Sequence, residues 1–256
     1  MDDFQYTKED IINSLNEVGL KKGDNIFIHS NLGFFGKLRD AESSIDYCST
    51  FKEAILSVIG SSGTLVVPTF SYSYFNNQIY DPKNTSSVCG IFSEFIRKEQ
   101  YSKRSLDANF SITSIGSKAE YFTENCSSHS FGKNSFWQRF LLKNGKFCNF
   151  NFDSGSTFFH YVEKILNVPY RFDKDFSGTS IINKNKIKNS FIHFVYDKSI
   201  PVHEPNFEKF HKKAIELKLV KTSNLGKGQI VCISAQNTLE LIKTEIKSNP
   251  NFLIKN

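Results

Sequence analysis

No uninterrupted apolar stretch in the 256 residues approaches the roughly 18 needed to span a bilayer, so no transmembrane helix is expected. Cysteine is sparse and badly arranged for cross-linking. The five (Cys48, Cys89, Cys126, Cys148 and Cys232) are odd in number, widely spaced and include no C-x-x-C. That argues against a disulfide framework and against a zinc site, and for free thiols in a reducing compartment. No H-E-x-x-H occurs, and no metal is expected. The opening "MDDFQYTKEDIINSL" is acidic and amphipathic, without the pattern of a signal peptide, and a cytoplasmic location is expected. Repeats, low-complexity tracts and a convincing linker are also lacking, so the simplest organisation is one domain over residues 1–256.

Phenylalanine, by contrast, is abundant. Its 26 residues bring the aromatic share to 14%, which reads first as a bulky core rather than a ligand surface. The net charge of +6 favours anionic partners in a general way. The lysines are scattered, however, and "INKNKIKN" (182–189) reads as a solvated loop rather than a nucleic-acid arm. No nucleic-acid partner is expected.

Periodicity organises most of the chain. "TKEDIINSLNEVGL" reads as a helix whose cap is Thr7 with Asp10 three residues on. "NIFIHS" reads as a buried strand followed by the turn "NLGFFG", "STFKEAILSVIG" as a helix, and "GTLVVPTF" as a second strand. "FSITSIG", "GKFCNFNF", "SFIHFVYD" and "QIVCISA" follow as strands; "SFWQRFLLKNG", "FEKFHKKAIELKL" and "TLELIKTEIKS" follow as helices. Alternation of helices with near-continuous apolar strands favours a layered α/β fold.

One helical stretch carries chemistry. In "SGSTFFHYVEKILNVPYRF" (154–172), Ser156 or Thr157 can cap a helix running to about Asn167, and Pro169 limits its end. His160 and Glu163 then share one face, with Thr157 a turn earlier. A helix N-terminus disfavours imidazolium, while a carboxylate on the other ring nitrogen fixes the tautomer and raises basicity, which suits a general base. On spacing alone a satisfied structural histidine stays open beside that reading.

Six fragments in order are similar to the aminoglycoside 3-N-acetyltransferase family: "LKKGDNIFIHSNLGFFG", "GTLVVPTF", "YDPKNTSSVCG", "RSLDANFSITSIG", "FGKNSFWQRFL" and "STFFHYVE". The resemblance implies a three-layer α/β/α sandwich that binds acetyl-CoA and an amine together and transfers the acetyl group directly. It implies that Thr157, His160 and Glu163 match the family's T-x-x-H-x-x-E stretch, with the His–Glu pair activating the amine. The turn His29, Ser30, Asn31, Leu32 and Gly36 matches a stretch lining the coenzyme A site, with Asn31 replacing a serine. Asp81 to Gly90 matches a stretch near cofactor and acceptor, with Ser86 where proline is common. Ser111 belongs to the same family pattern and is taken as a coenzyme A contact. Arg104 and Asp107 match a wall of the acceptor site, where Asp107 and Ala108 stand in place of histidine and proline. Tyr72 and Asp81 lie on loops where acceptor contact is expected.

These readings combine into an acetyl-CoA-dependent N-acetyltransferase acting on a small-molecule amino-sugar acceptor. The basic charge and the Asp107 departure favour a nucleotide-linked deoxy-amino sugar for surface polysaccharide, because both substrates would then be anionic. Aminoglycoside 3-N-acetylation, conferring antibiotic resistance, is the alternative; a non-catalytic binding protein of the same fold is the second. A homo-oligomer stays open.

Overall fold

Two of the helices are fixed by reciprocal capping. In the computed structural model, which describes residues 5–200 and 204–255, the Thr7 hydroxyl accepts from Asp10 N–H and the Asp10 carboxylate accepts from Thr7 N–H. This starts helix α1 (Lys8–Glu17) where the sequence places it. The first four residues of the acidic opening segment lie outside the described ones. After strand β1 (Asn25–Phe27), Ser43 and Asp46 repeat the box at the start of α2 (Ser44–Ile59), one turn earlier than the apolar pattern indicates.

Strand β2 (Thr64–Pro68), helix α3 (Ile91–Lys98), strands β3 (Lys103–Arg104) and β4 (Ile112–Gly116), helices α4 (Ala119–Thr123) and α5 (Phe136–Leu142), and strand β5 (Lys146–Phe150) follow. Helix α6 (Phe158–Ile165) leads into a ribbon of β6 (Arg171–Ile182) and β7 (Asn185–Tyr196). Helix α7 (Phe207–Glu216), strands β8 (Lys221–Leu225) and β9 (Gly228–Ser234), and helix α8 (Ala235–Ser248) complete the order.

Seven strands form one mixed sheet in the order β3-β4-β2-β1-β5-β9-β8. At its centre β1 runs parallel to both β2 and β5, and the outer pairs are antiparallel. Strand alternation sends successive side chains to opposite faces. Ile26, Leu65, Val67, Cys148 and Ile230 pack with α1, α2 and α3, whereas Phe27, Val66, Phe147 and Ile233 pack with α4 to α8. The result is the expected three-layer α/β/α sandwich. The abundant phenylalanine fills the second face: Phe27 meets Phe136, Trp137, Phe140 and Phe147 at centroid separations of 5.2–6.2 Å.

The ribbon corrects the sequence reading. Residues 182–189 are not a solvated loop: Ile182 pairs with Asn185, and twelve register pairs run down to Arg171 and Tyr196. Near the tip both faces meet solvent, so no period-two signal marks the strands. Asn183 (φ 50°) and Lys184 (φ 67°) both take left-handed backbone, as a two-residue type I′ turn requires. The ribbon docks through the bridges Tyr80–Ser180, close to its tip, and His129–Ile192, midway along it. Gly178 permits that docking, since a Cβ there would sit 2.5 Å from the Tyr74 ring. Lys184→Gly is expected to stabilise the protein by about 0.5–1 kcal/mol: the left-handed penalty of about 1–2 kcal/mol is removed, less the entropy glycine adds to the unfolded chain. A rise in the urea midpoint at unchanged slope checks this; a fall contradicts it.

Candidate active site

The carboxyl ends of β1, β2 and β5 point to the same edge of the sheet, with β1 between two parallel neighbours reached by different crossovers. In open α/β sheets such a switch point leaves a crevice for ligands. Here it holds a cleft of about 620 Å³, within the range of small-molecule sites. His29, Ser30 and Asn31 enter it from the end of β1, Phe70 from beyond β2, and Asp153, Gly155, Ser156 and Thr157 from the loop after β5. Phe207, leading α7, and Val88 to Gly90, before α3, close its sides. A second groove of about 640 Å³ shares Val88 and Gly90 and runs on between α2 and α3. The two together offer an elongated, largely apolar path.

Asn149, fully buried on β5, orders one wall. Its Nδ2 donates to the carbonyls of Asp153 (2.5 Å) and Gly155 (2.9 Å), which fixes the amide orientation and turns Oδ1 toward His29 Nδ1 at 3.1 Å. His29 Nδ1 therefore carries the proton, and Nε2 is left as an acceptor. Burial lowers the His29 pKa, against the opposing effects of Asn149 and Asp153, so the ring is neutral near pH 7.

Helix α6 carries the His–Glu pair. Thr157 already has helical angles and its side chain makes no cap bond, contrary to the expected role as a capping side chain. His160 Nδ1 stands 2.7 Å from Glu163 Oε2. The histidine side chain is 20% exposed and the carboxylate is completely buried. Since an ionised carboxylate only accepts, Nδ1 carries the proton and Nε2 the free lone pair. The ring meets Phe131 edge-on at 5.4 Å and Phe207 at 6.1 Å; Phe207 and Thr157 both line the cleft, so the pair sits at its margin.

Two further residues complete the pair. Tyr170 donates its hydroxyl to Glu163 Oε1 at 3.0 Å, and Arg171 Nε stands 2.9 Å from Glu163 Oε2. Arg171 also donates to Phe194 O at 2.9 Å and lies over the Tyr196 ring at 3.6 Å. Burial is the chief force lowering the His160 pKa; the Arg171 charge adds to it and Glu163 opposes both. Burial pushes Glu163 upward, but His160, Arg171 and Tyr170 together hold its pKa below the usual value. A neutral imidazole backed by a buried carboxylate is thus the state near pH 7, which is the form a general base needs.

The remaining sequence candidates divide. Thr157, His29, Ser30 and Asn31 gather in the cleft, although the Asn31 N–H is spent on Phe150 O at 3.0 Å and is not a free donor from that turn. Leu32 packs in the core, and Gly36 lies at the far end of the 3-10 turn Leu32–Phe35. The Ser111 hydroxyl is fully buried, donating to Thr69 O at 2.6 Å and accepting from Arg104 Nε at 3.1 Å. Arg104 spends its fork on the carbonyls of Pro82, Thr85 and Thr69, tying the 81–85 loop to the sheet. Asp81 accepts from Lys83 N–H, Asn84 N–H and Asn84 Nδ2, making the turn in that loop, while Ser86 is exposed beyond it.

Asp107 likewise works inward, accepting from the N–H groups of Asn109 and Phe110 and from the Ser130 hydroxyl. Tyr72, in left-handed backbone (φ 53°), stacks on Phe75 beside Phe70 and Phe110. Cys89 reaches the cleft, but burial raises its thiol pKa, which disfavours the thiolate. Sequence reading missed Asn149, Tyr170 and Arg171. The last two follow Pro169 directly in "VPYRF" and had no helical period to mark them.

The profile of the family described as aminoglycoside 3-N-acetyltransferase matches residues 27–247. Aminoglycoside N(3)-acetyltransferase III of Salmonella sp is 22% identical over 184 residues, covering 64% of this chain and 62% of that protein, so the match spans less than two thirds of the relative's length. Among solved structures, AAC-IIIb in binary complex with CoASH superposes with a TM-score of 0.81 at 18% identity, covering 94% of this chain and 96% of that one. AAC-VIa with sisomicin bound gives 0.82 at 17% identity, covering 95% and 98%. At those identities the structures establish the fold, and the match of the profile over most of the sequence establishes the kinship: the chain belongs to the aminoglycoside 3-N-acetyltransferase family.

Proposed function

We propose that this chain is an acetyl-CoA-dependent N-acetyltransferase acting on a primary amine of an aminoglycoside-class amino sugar. The observation that carries the reading is the His160–Glu163 pair, backed by Arg171 and standing beside a cleft in a member of this family. His160 Nε2 takes the amine proton while Glu163 holds the tautomer and stabilises the imidazolium as it forms. The elongated apolar path past Val88 and Gly90 fits a pantetheine arm, with Ser30 and Thr157 supplying hydroxyls along it. Holding both reactants at once supplies the proximity advantage of direct transfer. One acetyltransferase domain in the cytoplasm, with all five cysteines free, accords with this role.

Local charge supports the aminoglycoside acceptor over a nucleotide-linked sugar. The chain is basic, but among the residues lining the main cleft Asp153 is the charged one of fixed sign, and no lysine or arginine lines it. That suits a polycationic acceptor in the main cleft, while Lys98, the lysine lining the adjoining groove, lies on the side assigned to coenzyme A. The Asp107 departure loses its weight too, because that carboxylate is occupied within the fold. Acetyl-CoA with sisomicin or kanamycin is expected to release thiol continuously. Release confined to nucleotide-linked amino sugars would reverse the choice of acceptor.

A further inference from the structure

Ser156 is 3% exposed, and its hydroxyl has no hydrogen-bond partner among the described residues. Such an orphaned group is costly in a folded protein and calls for an explanation. Ser93 and Tyr6 also carry orphaned hydroxyls, but neither lines the main cleft; Ser156 does. The backbone beside it is in the same condition. At the start of α6, Phe159 N–H and His160 N–H turn back onto Ser156 O and Thr157 O, each at 3.1 Å. No described residue accepts from Thr157 N–H or Phe158 N–H. A buried hydroxyl and two unspent amides therefore lie on three consecutive residues at the positive end of α6, where Ser156 and Thr157 line the cleft, a setting that favours negative charge.

We propose that Ser156 Oγ–H and Phe158 N–H form the oxyanion site of the transfer, receiving the thioester carbonyl oxygen; this rests on the acetyltransferase reading above. The base and these donors then belong to the first turn of one helix, with His160 two residues beyond Phe158. As the acceptor nitrogen bonds to the carbonyl carbon, the C=O π pair moves onto oxygen and is held by the two donors, while His160 Nε2 takes the amine proton. Collapse restores the C=O bond and breaks C–S. The thiolate takes the proton from the imidazolium, leaving the N-acetyl amine and coenzyme A thiol. Donors fixed before reaction stabilise that charge without reorganising.

Ser156→Ala in the full chain is expected to lower kcat by about 10²-fold, the effect of losing one such donor. KM for acetyl-CoA should be unchanged and Tm equal or higher, since no protein hydrogen bond is lost. Ser156→Cys, a weaker donor of similar size, should fall between. Isotope-edited infrared of bound [1-¹³C]acetyl-CoA should show the carbonyl stretch lowered in the wild type and restored toward its aqueous position in Ser156→Ala. An unchanged kcat, or a loss of kcat accompanied by lower Tm and an unmoved carbonyl band, overturns the proposal. The infrared measurement needs no acceptor. A wild type that polarises the carbonyl yet acetylates no amine sinks the acceptor reading and supports the oxyanion site.

Discussion

His160→Ala should lower kcat by about 10²–10⁴-fold, the range over which a positioned general base acts, while binding coenzyme A as the wild type does. The argument is geometric. Nδ1 is committed to Glu163 at 2.7 Å, so only Nε2 can take a proton, and the partly exposed ring edge is where an acceptor can reach it. Its ring neighbours Phe131 and Phe207 carry no proton acceptor. Stability should fall by about 1.5–3 kcal/mol with the bond to the buried carboxylate, and the protein should stay folded because Arg171 and Tyr170 remain beside Glu163. Isothermal titration with coenzyme A, run beside thiol-release assays, separates loss of chemistry from loss of binding. Equal kcat in both proteins would remove His160 from the mechanism.

The second large effect falls on stability. Glu163→Ala leaves the Arg171 guanidinium, 4% exposed, buried without its carboxylate, and breaking such a pair costs about 3–5 kcal/mol. The pH dependence follows from the same contacts. The Glu163 pKa is lowered in the folded state, so its contribution is present above the unfolded carboxylate value of about 4.3 and is lost as pH falls through the folded value. His160 acts in the same direction at a higher pH. Its folded pKa is lowered from 6.5, so the unfolded chain takes up a proton first and stability falls as pH drops below that value. Urea unfolding from pH 8 to acid should show both losses in the wild type; in Glu163→Ala the lower one should shrink to the part carried by other carboxylates held down by their partners, such as Glu94 and Asp173. An acid limb of equal depth in both would contradict the assignment.

The layers were legible in the sequence because each core strand carries residues for both faces. Ile26, Phe27 and Ile28 feed opposite cores in turn, and so near-continuous apolar runs signal a sheet covered on both sides. The capping box at Thr7 was equally plain, since it needs only two side chains three residues apart. What failed was the polar hairpin. Strands β6 and β7 bury few of their residues fully, and Asn183-Lys184 lacks the glycine that usually marks such a turn.

The site divides along similar lines. His160 and Glu163 were visible through helical spacing. Arg171 and Asn149 act across the fold, and nothing local announces them: Asn149 is a polar residue in an apolar strand whose use appears only once His29 and the 153–155 loop are folded beside it. Arg104, Ser111 and Asp107 err the other way. Their family-like spacing is real, but their polar atoms serve loops of this chain.

The most direct measurement is the pH profile of kcat at saturating acetyl-CoA and sisomicin, for the wild type and for the residual activity of His160→Ala. A lowered His160 pKa gives the wild type an acid limb with its midpoint below 6.5, and the variant should lack it. The same limb in both proteins would show that some other group carries the proton.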